Sequence, residues 1–111
     1  MFNERKSIHQ VEESNEFAPK FDQNGLIVVT TVDVSNDQIL MTGYMNKEAL
    51  EKTIATKEAY YFSRSHQSIW HKGATSGFVQ KVREILIDDD QDALYMSCLL
   101  YTSDAADEAW W

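Results

Sequence analysis

Residues 26–34 read L-I-V-V-T-T-V-D-V, S-N-D (35–37) separates them from Q-I-L-M-T-G-Y (38–44), and Asn46 then introduces K-E-A-L-E-K-T-I-A-T (47–56). The first run is dense in β-branched side chains, which suit a pleated, buried strand. The S-N-D triplet is turn chemistry and the second run is again short and apolar, so the pair reads as a β-hairpin. After Asn46 the period changes: Ala49, Leu50, Thr53 and Ile54 recur at helical spacing and form a face turned toward the sheet. Asn46 is a natural N-cap and Lys57 closes the helix.

Working outward, Pro19 and the Asn24-Gly25 turn signal precede the hairpin, and residues 1–16 are polar without a sustained period, a loose or weakly helical lead-in. Downstream, 59–63 reads as a third strand, 79–87 alternates like a half-buried strand, and 93–96 continues apolar as a further strand. Strand, strand, helix, strand, strand with short connections predicts an α+β fold: a small, mainly antiparallel sheet with one principal helix.

The chain has 111 residues, enough for one domain with a modest core that a partner copy would help to bury. Its net charge of -8 argues against general nucleic-acid affinity and against a polybasic membrane contact, so an anionic ligand needs a local basic pocket. No apolar run approaches the roughly 20 residues of a spanning helix, and the first residues lack a signal-peptide core, which makes the cytoplasm the expected location. A single cysteine, Cys98, excludes an internal disulfide framework and a cysteine-rich zinc finger.

Between the third strand and the 79–87 run lies Y-F-S-R-S-H-Q-S-I-W-H-K-G-A-T-S-G (61–77), which packs two cations, two glycines and five Ser or Thr hydroxyls into seventeen residues. That is the chemistry of a phosphate pocket. Hydroxyls and N–H groups donate, Arg64 grips two oxygens, Lys72 adds a point charge, and Gly73 and Gly77 permit close backbone approach. Nothing matches a P-loop. The A-T-S-G of 74–77 reads as a small anion nest or as an ordinary turn. Trp70 reads as core, the commoner fate of a lone aromatic at a strand end, or as a platform for a base or ribose. His66 and His71 lack metal-binding spacing to any His or Cys except each other, and are not expected to be ligands.

Asp88-Asp89-Asp90-Gln91-Asp92 places four carboxylates in five positions. Alone, the cluster reads equally as a solvated turn that keeps an edge strand soluble or as a site for a hard divalent cation. On extended backbone Asp88, Asp90 and Asp92 point one way and Asp89 the other. Ala93 and Leu99 occupy the glycine and glutamate positions of a calcium loop, which excludes an EF-hand and favours magnesium held by two or three carboxylates and waters.

Four blocks, F-D-Q-N-G-L, I-L-M-T-G-Y-M-N-K-E-A-L, Y-F-S-R-S-H-Q-S-I-W-H-K-G-A-T-S-G-F-V-Q and D-D-D-Q-D-A-L, make the chain from about Phe17 to Met96 resemble phosphoribosyl-AMP cyclohydrolase of histidine biosynthesis. The resemblance implies hydrolytic opening of the adenine ring of 1-(5-phosphoribosyl)-AMP at N1–C6, in a cytosolic, intertwined homodimer with metal sites built across the interface. Carried over by position, Asp88, Asp90 and Asp92 bind magnesium, and Ser63, Arg64, Ser65, Lys72, Thr75 and Ser76 lie in or near the region that receives the phosphorylated substrate. Zinc with an open position supplies hydroxide by lowering the pKa of water to roughly 7, and magnesium neutralises phosphate charge.

Two departures bear on activity. The family's acidic motif has a zinc-ligating cysteine where this chain has Asp89, an oxygen donor that makes a harder, weaker zinc site. The family also continues to a segment with two further zinc cysteines and a catalytic histidine, whereas this chain ends C-L-L-Y-T-S-D-A-A-D-E-A-W-W. Residues 98–108 resemble a translated sequencing-library adaptor, so residues 1–97 are expected to be an incomplete cyclohydrolase domain and 98–111 a non-native tail, and the chain as written is expected to be inactive. The competing expectations are a non-catalytic module that binds nucleotide phosphate and magnesium, and a structural α+β domain whose acids and hydroxyls are only surface.

Overall fold

The hairpin forms as its composition requires. β1 (Ile27–Asp33) pairs antiparallel with β2 (Ile39–Met45), with Ile27 opposite Met45, Thr31 opposite Met41, and a bulge between Thr31 and Val32. The protein is described here by a computed structural model over residues 17–74 and 77–102; the lead-in expected at 1–16 lies outside the described residues. The connecting turn is built by side chains: an Asp33 carboxylate oxygen accepts from the Ser35 N–H and hydroxyl, the Asn36 oxygen accepts from Gln38 N, and Asp37 takes the left-handed backbone at φ 60°.

The helix α1 (Lys47–Thr56) is capped at both ends. Asn46 Oδ1 accepts from Ala49 N at 2.8 Å, and Lys57, left-handed at φ 61°, donates its N–H to the Thr53 carbonyl at 2.9 Å. Ala49, Leu50 and Thr53 are buried and Ile54 is half-buried, so the expected face does meet the sheet. Thr53 also fixes the next element, because its hydroxyl gives its proton to the Ala49 carbonyl and accepts from Tyr60 N at 3.0 Å.

Four further strands follow: β3 (Tyr60–Ser63), β4 (Ser68–His71), β5 (Phe78–Ile87) and β6 (Ala93–Thr102). The main sheet has the order β2-β1-β6-β5, and β3 and β4 form a separate two-stranded sheet. With one helix among the described residues and mostly antiparallel pairing, the fold is α+β. One pairing departs from that sense: β6 runs parallel to β1, Val28 opposite Ala93 and Asp33 opposite Cys98. The strand expected at 93–96 extends to Thr102 in the middle of the sheet, with Cys98 fully buried. Residues 68–71, expected as part of an irregular pocket segment, are instead a strand paired with β3.

The core lies between the inner face of the main sheet and a cover made by α1 and β3. Ile27, Val29, Leu94, Met96 and Cys98 from the sheet meet Ala49, Leu50, Ala59 and Tyr61. Gly43 lets Tyr61 come close: a Cβ there would stand 3.1 Å from the tyrosine ring. Tyr61 carries its hydroxyl into this apolar region, and the cost is met by partners. It donates to Gln80 Oε1 at 2.6 Å and accepts from the Thr31 hydroxyl at 2.6 Å. Burial pushes the phenol well above its ordinary pKa, so it stays neutral. Among the described residues no helix is long and apolar enough to cross a membrane.

Candidate active site

The β3–β4 hairpin carries the hydroxyl-rich sequence on its tip. Ser63 and Ser68 face each other as the last pair of the ladder, and Arg64 to Gln67 make the turn, with Gln67 at φ 50° and its side-chain amide donating to the Arg64 carbonyl at 2.7 Å. Within the turn Ser63 Oγ lies 3.1 Å and Ser65 Oγ 3.2 Å from His66 Nδ1. A cavity of about 570 Å³ opens beside it, lined by Ser63, Ser65, His66, Ser68, Trp70 and His71 among others. Serine hydroxyls and two imidazoles thus stand beside one indole face, hydrogen-bonding groups next to an aromatic surface.

The two expected cations flank this cavity and do not line it. The Arg64 guanidinium lies 4.2 Å from the centroid of the Tyr44 ring, and Lys72 Nζ is 5.5 Å over Trp70, whose ring does line the cavity. Trp70 is 44% exposed, which corrects its reading as core and leaves an aromatic surface open at the site. Gly73, at φ 95°, has its close approach to the backbone of Phe78 and Val79, so its freedom serves the chain's own turn. Thr75 and Ser76 lie outside the described residues.

His71 is the residue that spacing arguments passed over. Its ring stacks on Tyr60 at 4.4 Å and 10°, and its Nε2 meets Glu58 Oε1 at 2.8 Å. The other carboxylate oxygen of Glu58 accepts from Lys81 Nζ on β5. Lys81, opposed by partial burial and helped by His71, holds the Glu58 carboxyl below its usual range. One carboxylate thus ties the hairpin to the main sheet and fixes an imidazole at the cavity edge. The legible signal is the polar and apolar alternation of S-I-W-H at 68–71, which reads as pocket chemistry where the fold makes a second strand beside the expected one at 59–63.

The aspartates come together, but by a different geometry from the expected alternation. β5 ends at Ile87 and the chain turns: Gln91 N donates to the Asp88 carbonyl at 2.9 Å, and Asp88 Oδ1 accepts from Asp92 N at 2.9 Å and Ala93 N at 3.1 Å. Extended backbone would spread Asp88 and Asp92 about 13 Å apart, at roughly 3.3 Å per residue. In the turn each of Asp88, Asp90 and Asp92 offers an oxygen within 4.8 Å of the others, all three exposed.

Their crowding is visible in their acidities. Hydrogen bonding to Asp88 and then to Asp90, each of which favours the protonated form, pushes Asp92 up to about 6. For Asp88 partial burial works upward, and the bonds from Asp92 and from the Ala93 and Asp92 N–H groups outweigh it, so its pKa falls. Below about pH 6 the triad therefore holds a proton between neighbouring oxygens, in the place a hard divalent cation would take, with water completing the shell at so open a site. These residues fit magnesium. Asp89 is exposed and stands outside that triad, and among the described residues it belongs to no group of three potential ligands. Cys98 is buried, its thiol pushed up to about 12 by desolvation. Among the described residues neither Asp89 nor Cys98 stands in a group of three potential metal ligands within one chain.

The two regions are separate sites within one chain, since none of the aspartates lines the hydroxyl cavity. They share an end of the sheet all the same. Tyr44, under Arg64, and Ala93, directly after Asp92, both pair with Val28.

A family model described as phosphoribosyl-AMP cyclohydrolase matches residues 41–105, which contain both the hairpin cavity and the aspartate turn. The chain belongs to the phosphoribosyl-AMP cyclohydrolase family. Among curated relatives so named, that of Bradyrhizobium diazoefficiens is 50% identical over 88 residues, 79% of this chain and 63% of the relative. That of Rhodopseudomonas palustris (strain BisA53) is 51% identical over 86 residues, 78% of this chain and 58% of the relative, and that of Rhizobium rhizogenes is 44% identical over 96 residues, 86% and 64%. The chain thus spans about three fifths of the length of the cyclohydrolases it matches.

Proposed function

We propose that this chain is the substrate- and magnesium-binding part of a phosphoribosyl-AMP cyclohydrolase, acting in histidine biosynthesis in the cytoplasm. In the reaction the oxygen of water bonds to C6 of the adenine ring, the N1–C6 bond breaks, N1 takes one proton of the water, and the other goes to the nitrogen that stays on C6, leaving a carboxamide. The observation that carries the reading is the cavity of Ser63, Ser65, Ser68, His66 and His71 beside Trp70, inside the segment that matches the family. The hydroxyls donate to phosphate oxygens, Arg64 and Lys72 supply compensating charge from its rim, and Trp70 offers a face to a flat ring. Glu58 holds His71 by Nε2, which leaves Nδ1 as the nitrogen able to exchange a proton. Magnesium on Asp88, Asp90 and Asp92 would neutralise substrate charge and help to orient it.

A homodimer belongs to this proposal. Its support is the outer face of the main sheet, where Leu86 and Tyr95 stand opposite each other, 48% and 38% exposed, in a row with Thr30 and Thr42. A second copy covering that face would bury apolar surface that one chain leaves open. The zinc expected for the water-activating step has no donor set among the described residues, and no step is assigned to it on this chain. We propose accordingly that the 111-residue chain binds substrate without turning it over. Binding without turnover is also what a non-catalytic module would do, and the acidic Asp89 and buried Cys98 favour that second reading.

The test is thermal unfolding with phosphoribosyl-AMP and magnesium, beside an assay of ring opening. A melting temperature raised by the nucleotide, and raised further with magnesium, is expected with no product formed. No shift with either ligand refutes the binding role. Product formation by this chain refutes the proposed lack of turnover.

A further inference from the structure

Between two of the clustered carboxylates the chain carries a glutamine that behaves unlike its neighbours. Gln91 adopts φ 60°, a left-handed conformation that side-chain-bearing residues seldom take, yet it is only 4% exposed while Asp88, Asp89, Asp90 and Asp92 all face solvent. Its Oε1 accepts from Ala18 N at 2.6 Å, its carbonyl accepts from Lys20 N at 2.6 Å, and its own N–H closes the turn on the Asp88 carbonyl. Ala18 and Pro19 are themselves buried, so residues 17–20 form a strap held against the inner side of the turn. Removing Oε1 takes the side-chain acceptor from a buried backbone N–H, the kind of group that folded proteins seldom leave unmatched.

This arrangement has a direct consequence for the carboxylates. With the Gln91 side chain drawn inward and its backbone reversed, Asp90 and Asp92 are turned out to the same side as Asp88, which brings three ligand oxygens within 4.8 Å. A turn released from the strap would be free to spread them. We propose that Gln91, anchored by the 17–20 strap, is the positioning residue of the divalent-metal site: through its hold on the strap it sets the spacing of the three carboxylates that bind. The proposal rests on the reading of Asp88, Asp90 and Asp92 as that site.

The experiment compares the chain with Gln91→Asn and Gln91→Gly. Asn tolerates left-handed backbone but is too short to reach Ala18 N, and Gly takes φ 60° freely while removing the side chain, so a shared loss cannot come from strain alone. Manganese binding, followed by electron paramagnetic resonance well below the unfolding temperature, is expected to weaken about 10- to 100-fold in both variants, the range seen when a group supporting metal ligands is lost. Circular dichroism should show both variants folded under the same conditions. Equal manganese affinity in all three proteins overturns the proposal and leaves the metal reading intact. Absence of manganese binding by the unmutated chain overturns the metal reading, and the role of Gln91 with it.

Discussion

The guanidinium of Arg64 rests 4.2 Å from the ring centroid of Tyr44, and Tyr44 pairs through Val28 with Ala93, the residue after the aspartate triad. Two strand spacings of about 4.8 Å separate the Tyr44 and Ala93 backbones. The cation contributed by one sheet and the acids contributed by the other therefore address the same end of the molecule. Arg64→Ala is expected to weaken binding of phosphoribosyl-AMP about tenfold, and Arg64→Lys nearly as much, because a lysine neither stacks as a plane nor grips two phosphate oxygens. Calorimetric titration checks this; unchanged affinity in Arg64→Lys would mean that Arg64 contributes only charge.

The acidities at the triad set a pH dependence with a definite sign. Asp92 has a folded pKa raised from 3.8 to about 6, so its proton stabilises the folded chain fully below about 3.8, and that contribution is lost as pH rises through about 6. Asp88 is shifted the other way, and its contribution is lost as pH falls. Without divalent metal, the Asp92 contribution to stability should decline between pH 4 and 7; with magnesium the decline should flatten or reverse, since the cation takes the place of the proton. Urea unfolding in a chelator and in magnesium, compared with Asp92→Asn, measures both curves.

Glu58 bridges His71 and Lys81 while only 23% exposed on its side chain, so losing its charge is expected to cost more than a surface ion pair. Glu58→Gln should lower unfolding free energy by about 1–2 kcal/mol, between the values for exposed and fully buried pairs. The Glu58 pKa is depressed, so its stabilisation is present above the unfolded value and disappears as pH falls through the folded one. Chemical denaturation at neutral and acidic pH reads both effects: the two proteins should converge in acid.

Tyr61→Phe removes one hydroxyl from a closed buried set and leaves Gln80 and Thr31 without it. The expected loss is about 1–3 kcal/mol. Adding Thr31→Val should restore part of it, because the unmatched threonine hydroxyl is then gone. A double-mutant cycle by denaturant unfolding would show non-additivity; strictly additive losses would mean that the Thr31 bond carries no weight.

Some of this architecture is announced by local chemistry. The 26–44 hairpin, the helix Lys47–Thr56 with its Asn46 cap, and the strand ending at Ile87 follow from β-branched runs, turn residues and a helical period. Each depends on neighbours a few residues apart. The strand at 68–71 is not legible because its serine and histidine read as ligand chemistry and its pairing partner makes the difference. Trp70 reads as core for the same reason: burial belongs to whatever packs against a ring, and here nothing covers it fully.

From composition and motif order alone came the α+β class, the family resemblance, and the kinds of groups that meet a phosphate and a divalent ion. Those properties are local or additive along the chain. The parallel union of β1 with β6, the Glu58 bridge between sheets, and the hold of Ala18 on Gln91 across 73 positions belong to the folded molecule. They join segments whose meeting depends on chain topology and on total burial, quantities that no short window of residues contains.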